Sequence, residues 1–476
     1  MEKIELPSEL ASLQGSIDFK TGADVESYRN DPRDRFQGAP IPVFLPRSTA
    51  EVAVLVKACG KARIGIIPVS GGTGVVAGQL ALSPEKVIAV SMERLNAIRG
   101  LSLADGVIVA EAGCILADLQ NAAQDADRLF PLGMASEGSC RLGGNLATNC
   151  GGIQVLRYGN ARDLCLGIEA VLPDGSILSE LSPLRKNNTG YDLRHLLIGS
   201  EGTLGIITAA AMVIKPRDAQ TITAFCSIAS PVAAISLLDT MRDQGALNVS
   251  AFEIMSDYGF SLLEKHFPEE RFPLEYRSSW YTLIEIGGDA GIENKAQTFL
   301  ANAIESGRID NAALASSDAQ RQALWRLREI TPEANRLEGA ICSSDTAVPL
   351  SKIGEFIETT YRAVAEINPG LTINCYGHIG DGNIHFNIFP PPGTSKAEMI
   401  ERDLETIEAI RIAIDETTIA CHGAISAEHG IGRLKVGDLE HFASPAKLAA
   451  LRAIKRALDP CGIMNPGALF RNIRQT

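Results

Sequence analysis

The sequence predicts an α+β fold in two domains, closed by a C-terminal segment that returns to the first. Three observations predict it. The N-terminal part alternates short apolar runs with a capped helix and three glycine-dense stretches, the start of a βαβ pattern. From about residue 217, longer β-type runs separate helical stretches, as in a mainly antiparallel sheet carrying helices. Four of the seven histidines, His378, His385, His422 and His429, fall within two short glycine-framed motifs and the chain that joins them. The 476 residues suffice for two or three domains. The expected boundaries are 1–216 with a core from about 40, then 217–435, then 436–476.

Composition narrows the class. The chain has 44 Lys and Arg against 57 Asp and Glu, a net charge of −13, which disfavours a nucleic-acid groove and suits a soluble acidic protein. Hydrophobic residues at 45% and charged residues at 21% allow an ordinary core. Met1 to Pro7 show no basic region leading into an apolar run, and no apolar stretch is long enough for a bilayer, so a cytoplasmic location is expected. The ten cysteines are scattered with no Cys-x-x-Cys pair, which reads as buried thiols in a reducing compartment, not iron–sulfur or structural zinc.

Taken in order, residues 1–36 open helical and become loop-like by Asp31-Pro32-Arg33-Asp34. Ile41–Leu45 reads as a strand stopped by Pro46. Ser48-Thr49-Ala50-Glu51 is a capping box opening a helix to about Gly60. Gly65–Val69 is the next strand, and it runs into Ser70-Gly71-Gly72-Thr73-Gly74-Val75-Val76-Ala77-Gly78. Backbone N–H groups in such a loop can cradle a pyrophosphate. It lacks the Lys-Ser/Thr of a P-loop, and Ser83-Pro84 denies it the helix a Rossmann fingerprint needs. Val87–Ser91 and 106–113 read as strands, and a helix begins near Ile115. Two more glycine-dense stretches follow, 139–152 after Pro131-Leu132-Gly133, and 188–193 leading to 199–208. Three such segments on successive strand ends, interleaved with apolar residues, suit a long bound cofactor. Lys215-Pro216-Arg217-Asp218 marks the boundary. Beyond it, 221–226, 250–255 and 280–286 read as strands, and Pro231 to about Gln244 and 322–329 as helices. Ser444 caps a helix from Pro445 to Leu458. Asp438-Leu439-Glu440-His441 has no glycine framing and reads as a solvated polar segment.

The chemistry concentrates in two stretches, 375–387 and 425–432. On a straight strand His378 and His385 would face opposite sides. The intervening Gly380-Asp381-Gly382-Asn383 is turn chemistry that reverses the chain and brings both imidazoles to one point. With Glu428 they form a common three-ligand set for an open divalent-metal site. His429, next in sequence, is placed to act as a base.

These residues resemble the FAD-dependent D-2-hydroxy-acid dehydrogenases, the group of D-lactate dehydrogenase, the glycolate oxidase FAD subunit and D-2-hydroxyglutarate dehydrogenase. The resemblance runs from about Pro40 to Phe470. It rests on Gly72-Thr73-Gly74, on Leu142 through Asn149, on Gly199-Ser200-Glu201-Gly202-Thr203-Leu204-Gly205, on Gly377-His378 through His385, on Ser426 through Gly432, and on Asn465-Pro466-Gly467. It implies a flavin domain of the p-cresol methylhydroxylase/vanillyl-alcohol oxidase type. The cofactor residues it implies are Ser70, Gly71, Gly72, Thr73, Gly74, Val75, Gly78 and Gln79 in the first segment. In the second they are Pro131, Gly133, Met134, Ser139, Gly143, Gly144, Asn145, Thr148, Gly151 and Gly152, followed by Glu201, Gly205, Ile206 and Asn465. Residues 68–79 contain no histidine, so FAD is expected to bind non-covalently. The resemblance further implies zinc or a similar divalent ion on His378, His385 and Glu428, substrate contact by Asn387, a carboxylate grip by Arg328, and His429 as general base.

The expected reaction is oxidation of a D-2-hydroxy acid to the 2-oxo acid, with hydride passing to flavin N5. Electrons then go to an external acceptor: electron-transfer flavoprotein, a quinone or a cytochrome. Oligomeric state is left open, a homodimer among the possibilities. The rivals are a D-2-hydroxyglutarate/D-malate or glycolate dehydrogenase of the same family, another alcohol substrate on the same fold, a metal-dependent hydrolase, and a non-catalytic flavin- or metal-binding subunit. In the hydroxyglutarate branch a lysine two residues before an Asp helps hold the distal carboxylate. Here Asp345 and Pro349 match and Ser343 stands at the lysine position, so a monocarboxylate such as D-lactate is expected to be preferred over D-2-hydroxyglutarate or D-malate.

Overall fold

The computed structural model describes residues 6–84, 86–243 and 247–471. Two compact units emerge. One comprises residues 1–151, 159–217 and 428–476, the other 152–158 and 218–427.

The first unit is built on two sheets. The smaller pairs Phe19–Lys20 antiparallel with Val43–Phe44, then Val87–Ser91 and Gly65–Val69 in parallel. The helix Thr49–Ala62 makes the βαβ crossover, with Ser48 Oγ accepting from the Glu51 N–H as the capping box requires. Its apolar stripe (Val52, Leu55, Val56, Cys59) packs on Phe44, Ile66, Ile88 and Val90. Only Val43–Phe44 of the expected Ile41–Leu45 strand pairs in the sheet. The flanking Pro42 and Pro46 have no N–H to add to the ladder. The larger sheet is antiparallel, in the order Ile98–Ser102, Val107–Glu111, Ile206–Val213, Cys165–Val171, Ile177–Glu180. Its central strand Ile206–Val213 is buried at every position, which matches its continuous apolar composition.

The second unit centres on an eight-stranded antiparallel sheet. Its order begins Asn311–Leu314, Gln220–Ile228, Trp280–Gly288, Asn248–Ser256. It continues through Thr372–His378, Asn383–Phe389 and Cys342–Ser343, and Thr346–Ala347 also pairs with Asn383–Phe389. Alternation along each strand separates two faces. Phe252, Ile254, Ile384, Phe386 and Ile388 point into a core with the helices Pro231–Asp243, Ile292–Glu305, Ile353–Ile367 and Leu404–Ala420. Met255, Tyr281 and Tyr376 face the helices Asp257–His266, Asp318–Glu329 and Thr331–Glu338. By the same alternation Glu253, His378, His385 and Asn387 share this second face with Met255 and Tyr376.

Several expectations change in detail. The middle glycine-dense stretch contains a helix that the sequence did not indicate. It folds into the short helix Leu142–Ala147, because Gly143 lets the backbone approach so closely that its N–H donates to Ala112 O at 2.7 Å. A Cβ on Gly143 would meet that of Ala112 at 2.7 Å. The return to the first unit begins at Glu428, not after 435, since the Ile431 and Gly432 N–H groups already donate to Glu201. The segment 438–441 lies in the helix Val436–Phe442, where Glu440 pairs with Arg452 and Arg471. Met1 to Glu5 and Gln244, where helix was expected, lie outside the described residues.

Candidate active site

The site on the second unit starts from a hairpin. Thr372–His378 and Asn383–Phe389 pair with Tyr376 opposite His385 and His378 opposite Asn383. His378 and His385 are therefore diagonal neighbours on one face, and their ring centroids lie 5.8 Å apart. The turn between them needs its glycine: Gly382 has φ +89°, and a Cβ there would meet Val348 O at 2.2 Å.

One buried carboxylate organises this face. Glu253, on Asn248–Ser256, has 0% exposure. Its Oε1 accepts from His378 Nδ1 at 2.7 Å, and its Oε2 accepts from Arg328 Nε at 2.7 Å. Burial alone would push the Glu253 carboxyl up, but the charges of His378 and Arg328 more than offset this and hold it below its ordinary value. Arg328 comes from the last turn of Asp318–Glu329 and lies over the Tyr376 ring at 4.7 Å. His385 Nδ1 lies 3.4 Å from Ser344 O. An imidazole that donates from Nδ1 to an oxygen carries, when neutral, its lone pair on Nε2, the arrangement metal-ligating imidazoles adopt.

Asn387 lies two residues beyond His385 on the same face. Its Oδ1 accepts from Ser343 Oγ at 2.8 Å. This fixes the amide's orientation, and its buried Nδ2 has no hydrogen-bond partner among the described residues. Asn383 is occupied differently, donating from Nδ2 to Asp345 Oδ1 and Thr346 O. Asp345 O in turn accepts from the Ala427 N–H at 3.2 Å, and Glu428 is the next residue, so the covalent chain leads straight from the hairpin's network to it. Among the described residues, His378, His385 and Glu428 form the one group of His, Cys, Asp and Glu able to hold a metal ion. Two imidazoles and a carboxylate suit zinc, manganese, cobalt or iron.

On the first unit, several of the expected cofactor residues pack against one another through close backbone approaches. The Gly144 N–H donates to Ser70 Oγ at 3.0 Å, joining the first segment to the second. A Cβ on Gly71 would meet Ser139 O at 2.5 Å, whereas Gly72 and Gly133 face open space. Gln79 Nε2 donates to Gly74 O and Thr148 Oγ1 to Gly144 O, which braces the two turns holding Thr73 and Val75 and the helix holding Asn145. Pro131 and Gly151 belong to this unit, while Gly152 opens the short piece grouped with the second. Gly205 passes Val171 O at a distance no side chain would allow comfortably and leads into Ile206. Close backbone approach with exposed glycine faces fits an extended dinucleotide.

Sequence comparison agrees with this architecture. Residues 40–179 match the FAD binding domain and residues 217–469 the C-terminal domain of FAD linked oxidases. The chain belongs to the FAD-linked oxidases. The chain is 34% identical over 445 residues to the mitochondrial D-2-hydroxyglutarate dehydrogenase of Arabidopsis thaliana, covering 93% of the chain and 77% of the relative. It is 33% identical over 449 residues to a D-2-hydroxyglutarate dehydrogenase of Xanthomonas citri pv. viticola, covering 94% and 93%. In fold it resembles 4-ethylphenol oxidase from Gulosibacter chungangensis, at TM-score 0.72 and 18% identity over 97% of this chain and 95% of that one. It likewise resembles p-cresol methylhydroxylase, at TM-score 0.72 and 14% identity, covering 96% and 95%. The FAD-linked oxidase is thus an FAD-dependent oxidoreductase. No helix among its described residues is long and apolar enough to cross a membrane.

Glu253 was missed in the sequence. The available signal was a lone carboxylate inside the apolar run Ala251-Phe252-Glu253-Ile254-Met255, which alternation puts on an inner face. Two expected cofactor residues also have other work. The Glu201 carboxylate and the Asn465 amide bind backbone groups of neighbouring segments.

Proposed function

We propose that this chain oxidises a D-2-hydroxy acid to the corresponding 2-oxo acid, using non-covalent FAD and a divalent metal held by His378, His385 and Glu428. The observation that carries the reading is the Glu253 carboxylate shared between His378 and Arg328. It sets the tautomer of a metal-type histidine and the aim of a cation from a single buried position. Relatives named D-2-hydroxyglutarate dehydrogenases support the substrate class.

In this reading Arg328 binds the substrate C1 carboxylate and the Asn387 Nδ2 donor contacts a substrate oxygen. His429 takes the hydroxyl proton. A divalent ion, when bound, lowers the pKa of the coordinated hydroxyl. FAD, when bound, accepts the hydride from C2. Electrons leave to an external acceptor, for which a dye substitutes in assays. The ten cysteines are free thiols, which suits a reducing compartment such as the cytoplasm, or the mitochondrial interior that some relatives' names indicate. With no histidine in residues 68–79, acid precipitation should leave a colourless pellet. A yellow, flavin-fluorescent pellet would mean a covalent link.

Ser343 bears on substrate size. Its neutral hydroxyl is engaged by Asn387, so this edge strand offers no cation to a second carboxylate. Lacking a charged partner in a desolvated site costs a few kcal/mol. The test is kcat/KM for D-lactate, D-2-hydroxybutyrate, D-malate and D-2-hydroxyglutarate with one dye acceptor. The monocarboxylates should lead by roughly 10²-fold. The relatives' names favour a second reading, D-2-hydroxyglutarate itself, and a dicarboxylate clearly ahead of both monocarboxylates would establish it over the first.

A further inference from the structure

Arg433 lies four residues after His429 and is largely withdrawn from water, which lowers its guanidinium pKa to about 10. Its Nη1 donates to Ala77 O at 3.0 Å and to Gly78 O at 2.5 Å, and its Nη2 donates to Asn465 Oδ1 at 2.7 Å and Pro466 O at 3.1 Å. Its own N–H donates to Val76 O at 2.9 Å. Asn465 Nδ2 adds bonds to Gly78 O and Glu201 O. The Glu201 carboxylate accepts from the Ile431 and Gly432 N–H groups at 2.8 and 2.6 Å. Three successive carbonyls of the glycine loop, at Val76, Ala77 and Gly78, are thereby drawn to one side by the segment that carries the base.

The backbone is strained at this same place. Ala77 (φ +58°), Glu201 (φ +51°), Asn465 (φ +42°) and Leu469 (φ +60°) are non-glycine residues in the left-handed region, and each hydrogen-bonds to another member of the cluster. The glycines framing the motif belong to it too. A Cβ on Gly432 would meet Val76 O at 2.1 Å, and one on Gly430 would meet Glu201 Oε1 at 2.8 Å. Strain concentrated in a densely hydrogen-bonded polar cluster marks a preorganised element.

We infer that Arg433, with Glu201 and Asn465, is a positioning residue that locks the Glu428-His429 segment to the FAD loop 70–79, fixing the spacing between base and cofactor. Pulling the loop carbonyls toward Arg433 also keeps them from facing an anionic pyrophosphate. The inference rests on the reading of His429 as base, and flavin affinity, measured without substrate, separates its failure from failure of that reading. The experiment compares Arg433→Met, Arg433→Lys and Arg433→Ala with the parent. In the Met variant the Kd for FAD should rise about tenfold. At saturating FAD its kcat should fall on the order of 10²-fold, with KM little changed and metal content intact. The Lys variant should lie between Met and parent, and guanidinium ion should partly restore kcat in the Ala variant. A folded Met variant, or a folded Lys variant should Met not fold, that turns over normally at saturating FAD overturns the proposal. So does an Ala variant indifferent to guanidinium.

Discussion

Replacing His429 with Asn is expected to leave FAD and metal bound and to lower turnover by roughly 10²–10⁴-fold, the usual contribution of a general base. Asparagine keeps hydrogen-bonding capacity near the same position but takes no proton at neutral pH. The fold should tolerate the change. The segment is anchored at Ala427 by Asp345 and at Ile431 and Gly432 by Glu201, so its path does not depend on the side chain between. The measurement is single-turnover flavin reduction, with flavin and metal ratios determined on the same preparation. A near-normal rate at full occupancy would move the base elsewhere.

Metal removal is expected to have an effect of similar size. Chelation should abolish turnover while the flavin spectrum persists, because none of the three proposed metal ligands is among the residues proposed to hold FAD. His385→Ala should lose metal outright. Glu253→Gln is the sharper probe, since Glu253 orients a ligand without being one. An amide cannot accept from both His378 Nδ1 and Arg328 Nε, so metal affinity should fall roughly 10–100-fold. Removing one member of such a buried charged set also destabilises a fold by about 3–5 kcal/mol. Metal content and thermal unfolding are therefore measured together. Parental metal affinity in both variants would contradict the assigned ligands.

The local features of this site were legible in the sequence, and the long-range ones were not. The Gly-Asp-Gly-Asn turn between His378 and His385 specifies a reversal, and a hairpin register then puts both rings on one face. Ser48, Glu51 and the strand Gly65–Val69 follow local capping and periodicity rules and fold as those rules require. Glu253 escaped notice because its partners are far off in sequence, 75 residues away at Arg328 and 125 at His378. A single carboxylate in an apolar strand does not announce which strand will pair beside it. Arg433 is further still from the loop it holds, 355 residues from Gly78. The short helix Leu142–Ala147 within the middle glycine stretch was not legible locally, because the close approach of Gly143 to Ala112 that accompanies it is a long-range contact.

A D-2-hydroxy acid should reduce the bound flavin directly. Purified holoprotein is mixed anaerobically with D-lactate, L-lactate and D-2-hydroxyglutarate in separate runs, and the visible flavin absorbance is followed. The D-acids should bleach it, D-lactate faster, with the L-acid inert and chelated protein unresponsive. A flavin that no D-2-hydroxy acid bleaches, or that L-lactate bleaches equally well, would contradict the proposed reaction.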